Sequence, residues 1–178
     1  AGVHTRDFAF TSLAQKTLDK GWTLTGLVIH YGKDFEVNDA GYLGRNDLNY
    51  GQFEVGKRIT DLPAESAYSS HNMRFRVEGM QNNDGLWLQR QFRWNGNSQR
   101  RDGGSLNWNL QLRTPAYDDE ITRGHGPMYV RNGMNGFIGR NFPRRGNWQF
   151  STEASIGVAS GLRQDTPYAW SVSATGTW

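Results

Sequence analysis

Apolar and polar residues alternate along much of this chain, and a period of two is the mark of β-strands with two unlike faces. The C-terminal segment is the clearest case. Tyr168, Trp170, Val172, Ala174, Gly176 and Trp178 fall on one face, with Ser171, Ser173, Thr175 and Thr177 on the other. Met73, Phe75, Val77 and Gly79 alternate with Arg74, Arg76 and Glu78. Leu106, Trp108, Leu110 and Leu112 alternate with Asn107, Asn109, Gln111 and Arg113. Trp148, Phe150, Thr152, Ala154, Ile156 and Val158 alternate with Gln149, Ser151, Glu153, Ser155 and Gly157. Weaker alternation marks residues 6–17, 21–31, 48–59 and 86–95. Helical periodicity is confined to residues 64–68, which predict at most one turn of helix. The pattern predicts an all-β chain of roughly 8–10 antiparallel strands.

Strand length sharpens that expectation. Several runs alternate for about ten residues, whereas strands of soluble proteins cluster near five or six. A strand crossing a bilayer at a tilt needs about 9–11. Trp22, Tyr31, Trp87, Trp94, Tyr168 and Trp178 sit toward predicted strand ends, as in the aromatic girdles at the membrane interfaces of outer-membrane barrels. The polar faces carry Arg74, Arg76, Glu78, Arg93, Arg113 and Glu153, which in a barrel would face the lumen. In a soluble sandwich they would face bulk water, so polarity alone does not separate the two. Length and aromatic placement favour an up-and-down transmembrane β-barrel.

Asp19-Lys20-Gly21 and Asn83-Asp84-Gly85 read as tight hairpin turns, with glycine supplying positive φ. Residues 32–47, 60–71, 96–104 and 114–126 read as longer connections rich in Gly, Asn, Asp and Arg. A simple barrel keeps its short turns at one end and its long loops at the other. With one strand between successive connections, the two tight turns fall at opposite ends. That leaves two options: a long strand pair closing tightly on the outer side, or an uncounted strand. No internal repeat, low-complexity tract or linker divides the chain, so residues 1–178 read as one barrel domain or barrel segment.

Composition narrows the functional classes. The chain has 178 residues, 20 basic and 17 acidic side chains and a net charge of +3, too small for a strong field toward nucleic acid or membrane headgroups. The Arg residues are spread along the chain instead of forming a basic stripe, which speaks against a nucleic-acid partner. Cysteine is absent, which excludes disulfides, thiolate metal sites and cysteine nucleophiles. Leu, Ile, Val and Phe make up only about 20% of residues, close to the level of disordered chains. Yet aromatics reach 13% and glycine 22 residues, so the chain folds without the apolar stock of an ordinary core. A barrel in lipid resolves this mismatch, because only every second residue need be apolar. No apolar run is long enough for a membrane-spanning helix. Ala1-Gly2-Val3-His4-Thr5-Arg6 lacks a leader pattern, so the chain reads as mature or as part of something longer.

The stretch Asp34-Phe35-Glu36-Val37-Asn38-Asp39-Ala40-Gly41-Tyr42-Leu43-Gly44-Arg45-Asn46-Asp47 resembles a signature of a known family. It is similar to the F-x-V-N-D-x-G-[FY]-L-x-R-x-D motif of bacterial outer-membrane β-barrels that follow a family-9-type carbohydrate-binding domain. The strands at residues 72–82, 87–94, 105–113, 146–160 and 168–178 extend the likeness over most of the chain. Members of that family are longer and have more strands, so the chain resembles a segment of the barrel. The resemblance implies a Gram-negative outer-membrane location. The expected partners are outer-membrane lipid, lipopolysaccharide, and the remainder of a larger barrel or other subunits. By analogy with the companion domain, it also implies a carbohydrate as the solute.

Other clusters have plainer readings. Asn38, Asp39, Asn46 and Asp47 offer oxygen ligands but no calcium-loop spacing, and Asx residues beside glycine cap turns. Asp118-Asp119-Glu120 reads as a solvated acidic run, and Arg100-Arg101 and Arg144-Arg145 as solvated pairs with lipopolysaccharide phosphate as the alternative. His4, His30, His71 and His125 lack ligand spacing, so no metal site is expected. No G-x-S-x-G elbow or phosphate loop occurs, so neither an enzyme nor a cofactor is expected. The charged inner face predicts either a selective pore or a plugged, self-paired interior. The competing expectation is a soluble β-sandwich that binds glycans on exposed Trp. It is disfavoured because Trp22, Trp94, Trp108, Trp148, Trp170 and Trp178 read as strand residues.

Overall fold

The computed structural model describes residues 7–35, 45–120, 125–158 and 168–178. Nine strands form one antiparallel up-and-down sheet. Six come first in sequence: β1 (Ala9–Leu18), β2 (Trp22–Tyr31), β3 (Leu48–Ile59), β4 (Tyr68–Gln81), β5 (Trp87–Arg100) and β6 (Ser105–Arg113). A small hairpin of β7 (Ala116–Asp118) and β8 (Met128–Val130) follows and pairs only with itself. The sheet resumes with β9 (Gly133–Asn141), β10 (Gln149–Val158) and β11 (Tyr168–Thr177). β1 and β11 are its edges, so the sheet is open. Among the described residues no helix is long and apolar enough to cross a membrane.

Register determines the two faces, because residues paired across strands point the same way. One row runs Phe75, Trp94, Leu110, Gly136, Ile156 and Trp170 across β4 to β11. The adjacent row on the opposite face runs Glu54, Arg76, Arg93, Gln111 and Asn135 across β3 to β9. The alternation legible in each strand is therefore in phase from β3 to β11, and the sheet carries an apolar and a polar face. In β1 and β2 the two are less distinct, since Leu13, Leu27 and Ile29 fall on the polar side.

The strands are staggered as well as paired. Leu13 and Leu27, near the middles of β1 and β2, register through Gln52, Glu78 and Gln91 to Arg113, the last residue of β6. Such a drift is the shear that tilted strands in a curved wall require.

Connections at one end are residues 19–21, 60–67, 101–104 and 142–148, here called the turn end. Those at the loop end include residues 32–47, 82–86 and the connection from β6 to β9 that holds the small hairpin. The turn at residues 82–86 is thus a tight closure among long loops, between the two longest strands, each of 14 residues. Asn82 builds it: its Oδ1 accepts from the backbone N–H of Asp84 (3.1 Å) and Leu86 (2.8 Å), and Gly85 takes φ +83°.

Five sequence expectations change. β4 begins at Tyr68, so the connection expected at residues 60–71 shrinks to 60–67. β5 runs on to Arg100, so the connection expected at residues 96–104 shrinks to 101–104. Residues 64–68 form a turn and the start of β4, with no helix. β9 was not expected, because Gly133, Gly136 and Gly139 thin its alternation and Phe137 lies on the polar face. Trp148 lies in the turn before β10, bridging to Arg145, and Trp178 lies one residue beyond β11.

Candidate functional site: the polar face

Burial in this sheet is reversed. Among the described residues the single buried hydrophobic side chain is Ala116, while Asn82, Gln91, Ser98 and Ser105 are buried polar residues. Val77, Ile138, Trp170 and Val172, all on the apolar face, are 51, 54, 79 and 72% exposed. The Glu78 side chain, beside Val77 but on the other face, is 7% exposed.

Glu78 anchors a network spanning β3 to β6. Its Oε1 accepts from Gln91 Nε2 and, at 3.1 Å, from Gln89 Nε2. Its Oε2 lies 3.1 Å from the Tyr50 hydroxyl, which is 2.9 Å from Gln52 Oε1. Arg76 donates from Nε (2.9 Å) and Nη2 (2.7 Å) to Glu54 Oε2 and stands 3.9 Å from Glu78. On the far side, Gln91 Oε1 receives Gln111 Nε2 at 2.5 Å and Arg113 Nε at 3.4 Å. An Asn row continues the lattice toward the turn end, with Asn97 donating to Asn107.

Arg76, Glu78 and Arg113 therefore belong to one connected cluster. Arg93 shares its face directly opposite Arg76, Arg74 lies in the next row, and neither is ion-paired with a carboxylate among the described residues. Glu153 is on the same face but far across the sheet, in the row of Asn107 and Gly139. All six charged candidates thus point one way, and three of them are joined. Glu54, Tyr50, Gln89, Gln91 and Gln111 were missed. Their alternation within β3, β5 and β6 was visible, but only the register shows that they meet.

The aromatic candidates divide. Trp22, Trp87 and Tyr168 begin their strands, on the apolar face. Trp94 lies midway along β5, stacked on Phe75 with centroids 5.8 Å apart. Tyr31 points to the polar face, paired with Leu48, and stacks on Phe35 at 5.7 Å. Trp178 packs near Trp148, 6.5 Å between centroids.

At the loop end a second polar cluster clasps the connections together. Arg45 Nη2 pairs with Asp119 at 2.6 Å and its Nη1 with Glu120 at 3.3 Å, while Asn82 Nδ2 donates to Asp119 at 3.2 Å. Asp47, at φ +51°, accepts from the Asn83 backbone N–H at 2.8 Å, and Asn46 donates to the Lys33 carbonyl. Asn46 and Asp47 thus serve turns. Asp119 and Glu120 are ion-paired instead of simply solvated. Asn38, Asp39 and most of the signature stretch lie outside the described residues.

Chemically, the polar face offers amide, hydroxyl, carboxylate and guanidinium groups held in place by mutual hydrogen bonds. Such a surface can exchange hydrogen bonds with a hydroxyl-rich solute with little reorganisation. No family model, curated protein or solved structure matches the chain.

Proposed function

We propose that this sheet is wall of a transmembrane β-barrel in a Gram-negative outer membrane, and that its polar face lines a path for a hydrophilic solute, a carbohydrate by the resemblance given above. The observation that carries the reading is the reversal of burial: hydrogen-bonded charges packed on one face, large apolar side chains exposed on the other. In water the apolar face would lose roughly 25 cal/mol for each Å² of apolar surface left exposed. In lipid that same surface costs nothing, and the polar face is protected from lipid by curling inward.

The nine strands alternate in direction, so β1 and β11 run the same way. Joining them directly would make a parallel seam. An antiparallel closure takes an odd number of further strands, from a larger barrel or other subunits, and lipid does not tolerate the unpaired edges.

A glycan-binding sandwich remains the competing reading, supported by the exposed Trp148 in its turn. It requires a second layer over the apolar face. Membrane partition separates the two: the barrel reading expects recovery in the outer-membrane fraction, extraction only with detergent, and heat-dependent gel mobility. A protein soluble without detergent would overturn it. Bilayer conductance then distinguishes pore from plug.

A further inference from the structure

The apolar face is not uniformly apolar, and the charged side chains on it are all basic. In the nine strands of the sheet it carries Lys16, Lys57, Arg90, Arg100 and Arg140 and no acidic residue, since Glu54, Glu78 and Glu153 all lie on the other face. Four of the five lie near the turn end; Arg90 is at the other. Three of those four sit over aromatic rings: Lys57 over Trp22 (4.7 Å), Arg100 over Tyr68 (5.6 Å) and Arg140 over Phe142 (4.6 Å). Lys20, Arg101, Arg144 and Arg145 add charge in the adjoining turns, against Asp19, Asp61, Glu65 and Asp102. Such rings give a cation an apolar collar while its head remains free for an anion.

Arg140 stands out. Its row runs His71, Ser98, Leu106, Arg140 and Thr152 across β4 to β10, with His71 Nδ1 2.6 Å from Ser98 Oγ. Arg140 has no carboxylate ion pair among the described residues, whereas Arg100 is paired with Asp102 at 2.9 Å. Two apolar hollows flank it. One, of about 650 Å³, is lined by Met73, Trp94, Trp108, Leu106 and Ile138. It exists partly because position 96 is glycine: a Cβ there would stand 2.2 Å from Trp108 Cζ2. The other, of about 640 Å³, is lined by Phe142, Phe150, Thr152 and Ala174. Leu106 and Ile138 border Arg140 on the first side, and Thr152 and Phe142 on the second.

We infer that Arg140 and the polar row beside it bind the phosphate of an anionic diacyl phospholipid, with one acyl chain lying in each hollow. The charge is complementary, the strands add no acid to this face, and Asp102 in the adjoining turn, which feels the Arg140 charge, is itself ion-paired with Arg100. The hollows are apolar, and the cation lies between them. The inference rests on the apolar face meeting lipid.

Tryptophan quenching by phospholipids brominated on their acyl chains tests it, because Trp94 and Trp108 line one hollow. The protein is reconstituted in vesicles containing equal fractions of brominated phosphatidylglycerol or brominated phosphatidylcholine. One favourable cation near the headgroup plane is worth about a fivefold preference for the anionic lipid. That preference should disappear in Arg140→Gln, persist in Arg140→Lys, and persist in Arg131→Gln at the loop end. Equal quenching by both lipids, or an unchanged preference in Arg140→Gln, would overturn the site while leaving the lipid-facing reading intact. Absence of quenching by either lipid would overturn both.

Discussion

Val77 and Glu78 are successive residues of β4, and the structure treats them in opposite ways. The valine is 51% exposed; the glutamate side chain is 7% exposed and hydrogen-bonded to partners on both neighbouring strands, β3 and β5. A weaker form of the contrast sets exposed Ile138 beside buried Gly139 in β9, and half-buried Phe92 beside buried Gln91 in β5. In a protein dissolved in water the carboxylate would hydrate freely and the valine would be covered. On the barrel reading proposed above, the contrast teaches that solvent quality, more than residue type, decides which face a sheet protects. A polar face can act as the interior when the medium outside is apolar.

The largest expected effect comes from placing charge on the wrong face. Val77→Arg should destabilise the membrane-inserted protein by roughly 2–4 kcal/mol, measured by urea unfolding in vesicles, as for Arg at mid-depth on a lipid-facing wall. An Arg already stands next door at position 76, on the other face, where it meets Glu54. Equal tolerance at positions 76 and 77 would break the comparison.

Next comes the anchor of the polar face. Glu78→Leu leaves the amides of Gln89 and Gln91 without their acceptor, and should cost about 1–3 kcal/mol in the same unfolding measurement. Glu153→Leu, in a sparser part of the face, should cost clearly less. The order of the two variants is the test. Gly96→Val probes the apolar face by overpacking: its side chain collides with Trp108, and a cost of about 1–3 kcal/mol is expected. Trp108→Leu in the same background should recover part of it.

The smallest effect concerns the turn end. Arg100 and the Gly104 backbone N–H hold the Asp102 carboxyl below its usual range. A depressed carboxylate contributes stability above its unfolded pKa and loses it as pH falls through the lower folded value. The turn at residues 101–104 should therefore be unchanged between pH 7 and 5 and loosen only in acid below the ordinary carboxylate range. Amide exchange of Gly103 and Gly104 reports this, and Asp102→Asn should remove the acid step.

Much of this sheet was legible as pattern. β3 occupies the residues its alternation marked, and β6, β10 and β11 differ from expectation by a residue or so at their ends. Each of those strands has side chains that differ sharply between faces. β9 was illegible for the same physical reason in reverse, since glycines carry no face and Phe137 lies against the pattern. The candidate charges were readable individually, because Arg74, Arg76 and Glu78 alternate with Met73, Phe75 and Val77. Their partners were not. The pairing of Arg76 with Glu54, or of Glu78 with Gln91, depends on register between strands, which alternation within a strand leaves undetermined. The clasp from Arg45 to Asp119 joins residues 74 apart, beyond the reach of any local signal.

The chain contains no cysteine, so single-cysteine variants carry a spin label at one known place. Labels placed successively at positions 74 to 79 of β4, in vesicles, report collisions with membrane-soluble oxygen and with a water-soluble nickel chelate. The account predicts a strict period of two: oxygen dominates at 75, 77 and 79, and the chelate at 74, 76 and 78. Equal access of the water-soluble reagent to both sets, or protection of 75, 77 and 79 from both reagents, would contradict it.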